Sequence, residues 1–173
     1  MLLLAGCNDV SGTGDKQYIS GDGRITEVKA ADRGDPIELT AKTLDGKSLS
    51  LEDLRGEPVI INVWWSGCPP CRLEQPMLNQ VAAEPGTSAH IVGINIKDSS
   101  PDTASAYVRK FGVPYPSIYD PSGKALLAFQ GKLSPRTIPS TLVLDSQGRI
   151  AASIIGRVPT RLTLTDLVDG LQS

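Results

Sequence analysis

Pro58-Val59-Ile60-Ile61-Asn62-Val63-Trp64-Trp65-Ser66-Gly67-Cys68-Pro69-Pro70-Cys71-Arg72 is the stretch whose reading decides the fold. Its first eight residues are almost continuously apolar and rich in β-branched side chains. That is the pattern of a central strand covered on both faces. Ser66-Gly67 breaks it. Proline suits the first turn of a helix, where its missing N–H is not needed, so a helix is predicted from Pro69 to about Ala83. Met77, Leu78 and Val81 supply part of its apolar stripe, and Pro76 inside it should bend it. Two cysteines, Cys68 and Cys71, therefore stand at the mouth of a helix, one turn apart.

That placement suits dithiol exchange. One thiol must be ionised and exposed, and a second must attack the mixed disulfide that results. The positive end of the helix and its free N–H groups lower the pKa of Cys68. Cys71 should be less exposed and act as the resolving thiol. Pro69 and Pro70 remove two donors from the same turn, so only a moderate depression at Cys68 is expected.

Working outward, Pro85-Gly86 ends the helix and His90 to Ile96 reads as a second buried strand. The unit is β-α-β, so the two strands should be parallel with a right-handed crossover. Ahead of it, Pro36 to Ser50 holds two short extended runs joined by Leu44-Asp45-Gly46-Lys47, a hairpin signal. A helical turn over Leu51 to Leu54, capped by Ser50, should follow. Beyond it, Ala104, Val108 and Phe111 predict a helix over Pro101 to Phe111. Tyr115 to Tyr119 reads as extended and Gly123 to Phe129 as helical. Thr141 to Asp145 and Ile150 to Ile155 form a hairpin through Ser146-Gln147-Gly148-Arg149. Leu164, Leu167, Val168 and Leu171 predict a last helix, with Thr163 and Asp166 as its capping box. The sum is an α/β fold: a central mixed sheet flanked by helices, preceded by an N-terminal β-hairpin extension.

The bulk properties fit one such domain. The chain has 173 residues, 40% hydrophobic and 21% charged, with a formal charge of -2. That length supports a real core. The charge gives no reason to expect nucleic acid as a partner, and no run of apolar residues is long enough for a transmembrane helix. The 3 cysteines make one redox pair plus Cys7. A structural zinc site wants four ligands, and a single His with one Cys pair does not supply them. Copper(I) held by two thiolates is the metal alternative. His90, the one histidine, and Arg72 are read as structural or surface residues.

Met1-Leu2-Leu3-Leu4-Ala5-Gly6-Cys7 reads as the end of an apolar signal segment, and Leu4-Ala5-Gly6-Cys7 resembles the bacterial lipobox. The resemblance implies cleavage before Cys7 and its lipidation, each acyl chain adding ~0.8 kcal/mol per buried methylene. Residues 1–7 are thus a signal remnant and lipobox, 8–35 a glycine-rich tether, and 36–173 the folded domain. A tether of ~25 residues reaches on the order of 25–30 Å.

Val63 to Arg72, with Pro76 and Thr137-Ile138-Pro139, resembles the thioredoxin superfamily, and the central Pro-Pro resembles its TlpA/ResA/DsbE-like branch of membrane-anchored thiol–disulfide oxidoreductases. The likeness runs from about Pro36 to Leu171. It implies that Cys68 and Cys71 are catalytic and that their disulfide is the redox group, with no other cofactor and no metal. It implies a cis Pro139 beside the dithiol, with the Ile138 backbone pairing with substrate and Trp65, Pro69 and Pro70 on the substrate face. Asn62 stands where thioredoxin has a buried acid. Glu74, three residues after Cys71, matches the acid of the ResA-like branch, where it takes a proton from the resolving thiol. A solvated helix glutamate is the alternative. The resemblance further implies protein disulfides as substrates, such as apocytochrome c, and a membrane electron donor of the CcdA/DsbD type. A lipid-anchored monomer on the extracytoplasmic face is expected. The opposite redox direction, an oxidant for exported proteins, stays open.

Overall fold

The computed structural model describes residues 25–84 and 89–171. The chain enters through β1 (Ile25–Glu27), then forms a hairpin of β2 (Thr40–Lys42) and β3 (Ser48–Ser50). The apolar run becomes β4 (Val59–Trp64), every residue buried, and α1 spans Pro69–Ala83. Next come β5 (His90–Asn95), α2 (Pro101–Phe111), β6 (Ser117–Tyr119), β7 (Ser140–Leu144), β8 (Ile150–Ile155) and α3 (Arg161–Asp169). Short 3₁₀ turns occupy Ala30–Asp32, Glu52–Leu54 and Lys124–Phe129.

Six strands make the main sheet in the order β1-β8-β7-β4-β5-β6, and β2-β3 is a separate pair. β4, β5 and β6 run parallel, while β7, β8 and β1 join antiparallel. The sheet is thus mixed, as the order of motifs implied. Alternation along β4 splits its side chains between two cores. Ile61 and Val63 meet Ile94, Leu142, Phe129 and Ile37 on the hairpin side. Ile60 meets Leu78, Val81, Leu164 and Val168 beneath α1 and α3. Each such side chain contributes about 1.5–3 kcal/mol by leaving water. Gly93 on β5 is a packing requirement. A Cβ there would lie 2.2 Å from Ser117 Oγ and 2.7 Å from Trp64 Nε1.

Three local expectations change. Residues 8–35 do not all precede the fold: Ile25–Glu27 pairs with β8, so the domain begins at or before residue 25, not at 36. Three residues are too few for a periodic signal, and the strand exists because β8 offers it an edge. Ser50 is no cap, since its hydroxyl donates to the Glu52 side chain. At α3 the cap is Thr160, whose side chain accepts from the Thr163 N–H at 3.1 Å, one turn earlier than the expected box.

Candidate active site

The site is built where β4 ends. Trp64 closes the strand, its carbonyl taken by the Ile96 N–H at 3.0 Å. Its indole is buried, stacked on Tyr107 of α2 at 4.5 Å, and Nε1–H donates to Ser117 Oγ. Trp65, Ser66 and Gly67 then turn the chain into α1. The turn is held from two sides. Arg72 Nε and Nη2 donate to the Ser66 carbonyl at 2.9 and 2.6 Å. Ser66 N–H and O–H both donate to the Asp98 carboxylate, at 2.9 and 2.6 Å. The Trp65 ring lies against Gly67, where a Cβ would meet it at 2.1 Å.

Cys68 is the cap residue of α1, and its Sγ accepts from the Cys71 N–H at 3.2 Å. Because Pro69 and Pro70 carry no N–H, Cys71 supplies the first amide of the helix that can face the sulfur. The two sulfurs form a disulfide with a Cα–Cα distance of 5.3 Å. Cys68 was expected to be exposed, but here the two residues are 2% and 1% accessible. In the oxidised form the pair shares a buried cluster with Trp64, Ala104 and Tyr107, and Trp65 and Ile138 pack against that cluster. Pro69 remains exposed. The Ile138–Pro139 bond is cis, as the resemblance implied, and Ile138 packs against the buried cluster that holds both cysteines. Cys7 lies outside the described residues.

Glu74 is not a solvated helix residue. It is 1% exposed. Its Oε1 accepts from Asn62 Nδ2 at 2.9 Å and its Oε2 from the Val158 N–H at 3.0 Å. Asn62 also donates to Thr141 Oγ1, its register partner across β4 and β7. Burial raises the Glu74 pKa from 4.5 to about 7, against the two hydrogen bonds and the attraction of Arg157. A carboxyl poised near neutrality, one turn along the helix from a buried thiol, is equipped to accept that thiol's proton. Tyr107 O–H donates to the Cys71 carbonyl at 3.2 Å, and burial pushes its pKa well above the ordinary range, so it remains a donor.

Sequence reasoning passed over Asn95, Asp98 and Tyr107. Asn95 Nδ2 donates to Asp98 at 2.7 Å. A signal was present: polar residues follow the apolar run at the carboxyl end of a parallel strand, where α/β folds place their sites.

A helix-capped Cys-x-x-Cys disulfide, a facing cis-proline and this strand order together define a thioredoxin-like dithiol protein. The chain belongs to the Redoxin family, whose model matches residues 24–171. Among curated relatives it is 32% identical over 117 residues to the thiol:disulfide interchange protein DsbE of Allochromatium vinosum, covering 67% of this chain and 61% of that protein. It is 29% identical over 113 residues to the thiol-disulfide oxidoreductase ResA of Bacillus subtilis, covering 65% and 60%. The chain thus spans less than two thirds of the length of these relatives. Among solved structures, a DsbF homologue from Corynebacterium diphtheriae superposes with a TM-score of 0.81 at 33% identity, covering 90% of this chain and 98% of that one. A secreted thiol-disulfide isomerase from Corynebacterium glutamicum gives 0.80 at 34% identity, covering 90% and 96%. These likenesses place the chain in the TlpA/ResA/DsbE-like part of the thioredoxin superfamily.

Proposed function

We propose that this chain is an extracytoplasmic thiol–disulfide oxidoreductase that reduces protein disulfides through Cys68 and Cys71. The observation that carries the reading is the pairing of a helix-capping cysteine with a buried carboxyl, Glu74, raised to about 7. In the reduced protein the Cys68 thiolate attacks a substrate disulfide. A Cys68–substrate disulfide forms and one substrate thiolate leaves and is protonated. Glu74 takes the Cys71 proton, and the Cys71 thiolate attacks Cys68 Sγ. The Cys68–Cys71 disulfide forms and the second substrate thiolate leaves, taking up a proton. Two electrons have passed to substrate, and an outside dithiol must restore them.

Trp65, Pro69, Pro70 and Ile138 form the surface on which the substrate docks, and the buried cis Pro139 shapes the loop that presents Ile138. Apocytochrome c haem-motif cysteines are the proposed substrate, in line with the relatives named DsbE and ResA. A CcdA/DsbD-type membrane protein is the proposed donor, and the Cys68–Cys71 pair the sole redox group. Lipidation at Cys7 would hold the enzyme at the membrane as a monomer. No helix among the described residues is long and apolar enough to cross a membrane by itself.

The likeness to a secreted thiol-disulfide isomerase favours a second reading, in which the pair rearranges disulfides of exported proteins with no net transfer of electrons. The equilibrium potential against glutathione decides. A value near that of thioredoxin, about −270 mV, supports the reductant, and one near that of the oxidant DsbA, about −120 mV, overturns it. The Cys71→Ser variant should accumulate a covalent adduct with a disulfide peptide. Absence of that adduct removes exchange chemistry altogether.

A further inference from the structure

Asp98 is 4% exposed, yet no cation pairs with it among the described residues. Its carboxylate is satisfied by Ser66 N–H, Ser66 O–H and Asn95 Nδ2. Burying a charge without a counter-ion is costly. Geometry alone does not require that charge. An asparagine amide oxygen in place of Oδ2 accepts from Ser66 N–H and Asn95, and its amide nitrogen donates to the Ser66 hydroxyl, which turns to accept. The same three contacts therefore survive without the charge, so the carboxylate's distinctive effect is electrostatic. Ser66 precedes Cys68 by two residues, a span of at most about 7 Å of chain. The anion thus lies on the order of 10 Å from Cys68. At that range, in a partly buried setting, a unit charge is worth on the order of a tenfold change in thiolate fraction.

We propose that Asp98 is a positioning residue for the dithiol: it anchors the Trp65–Gly67 turn, and its buried charge disfavours the Cys68 thiolate, keeping the reduced pair a strong electron donor. The helix end and the Cys71 N–H stabilise the thiolate, and Asp98 opposes them from the carboxyl end of β5. The proposal rests on the redox reading of the Cys68–Cys71 pair. The other charged or titratable groups around the turn and Asp98 are Arg72 and Glu74 on α1, Tyr107 and Lys110 on α2, Tyr119 on β6, whose hydroxyl donates to the Asp98 carbonyl, Lys97 beside Asp98, and Arg157 near Glu74. All of them are left in place by a substitution at Asp98.

The test is the pH profile of Cys68 alkylation in the reduced protein, using iodoacetamide with adduct sites assigned by mass spectrometry. Asp98→Asn should shift the profile to lower pH, with about tenfold more thiolate on the acid limb, and should make the pair more oxidising against glutathione. Ser66→Ala weakens the anchor but keeps the charge, and its profile should stay with the wild type. Asp98→Ser, also neutral, serves if the asparagine variant does not fold. A wild-type profile in the neutral variants overturns the proposal, as does an equal shift in Ser66→Ala. Alkylation reads Cys68 without any protein substrate. Failure of the wild type to exchange with disulfide peptides would instead count against the proposed function alone.

Discussion

Asp145 and Glu74 lie toward opposite ends of the paired strands β4 and β7, and they are 4% and 1% exposed. Both pay for burial, yet their titration moves in opposite directions. At Asp145 burial pushes the pKa up, but the Arg149 N–H, the Arg149 guanidinium and Arg33 outweigh it and hold the carboxyl below its ordinary value. The two guanidiniums sit 2.8 and 3.0 Å away. At Glu74 the two hydrogen-bond partners are an amide and a backbone N–H, and burial prevails. The neighbours, rather than the depth, separate a permanently charged anchor from a group able to trade protons near neutral pH. At Asp145 two guanidiniums outweigh burial, whereas at Glu74 the attraction of Arg157 does not.

The contrast can be broken most severely at Asp145. Asp145→Ala leaves Arg33 and Arg149 without their shared partner and should cost about 3 kcal/mol of stability, seen as a lower urea midpoint. Exchange activity per folded molecule should be unchanged. An equal loss of activity would mean that the two ends are coupled.

Glu74→Gln should act on chemistry and on pH dependence together. The native pKa of about 7 lies above the ordinary 4.5, so the folded state holds the extra proton between those values. The stability this gives is fully present below pH 4.5 and lost as pH rises through about 7. Relative to wild type, the variant should therefore gain on the order of 3 kcal/mol between pH 4 and pH 8, measured by urea titration at each pH. The resolving step should slow on the order of 10²-fold at pH 7. Parallel stability curves for the two proteins would show that Glu74 stays ionised.

A finer test is Asn62→Leu, which removes a donor that favours the charged carboxylate. The Glu74 pKa should rise above 7, and the rate of resolution should reach its midpoint at correspondingly higher pH. The smallest effect is expected at the surface. His90 and Glu57 are 3.1 Å apart but about half exposed, so Glu57→Gln should change stability by less than about 0.5 kcal/mol.

Much of the frame was legible from local pattern. The apolar run ending at Trp64 became β4 and the proline-led segment became α1 over Pro69–Ala83. α2 fell on Pro101–Phe111 as its spacing implied. Helix starts, buried strands and Cys-x-x-Cys spacing are properties of neighbouring residues, so one sequence suffices to read them. The cis Ile138–Pro139 bond was expected only through the family resemblance, because a lone X-Pro bond is seldom cis.

Tertiary structure decided the rest. Sequence spacing placed Glu74 one turn beyond Cys71 but left it between a solvated and a buried fate. Asn62 from β4 and the Val158 N–H beyond β8 settle that question, and they stand 12 and 84 residues away. Asp98 reaches Ser66 across 32 residues, and β1 exists only because β8 presents an edge to it. Which end of the molecule an acid occupies, and what surrounds it there, follows from how strands and helices pack. The chain alone could name the sulfurs; the fold set the proton traffic around them, because a pKa depends on every group brought near in space.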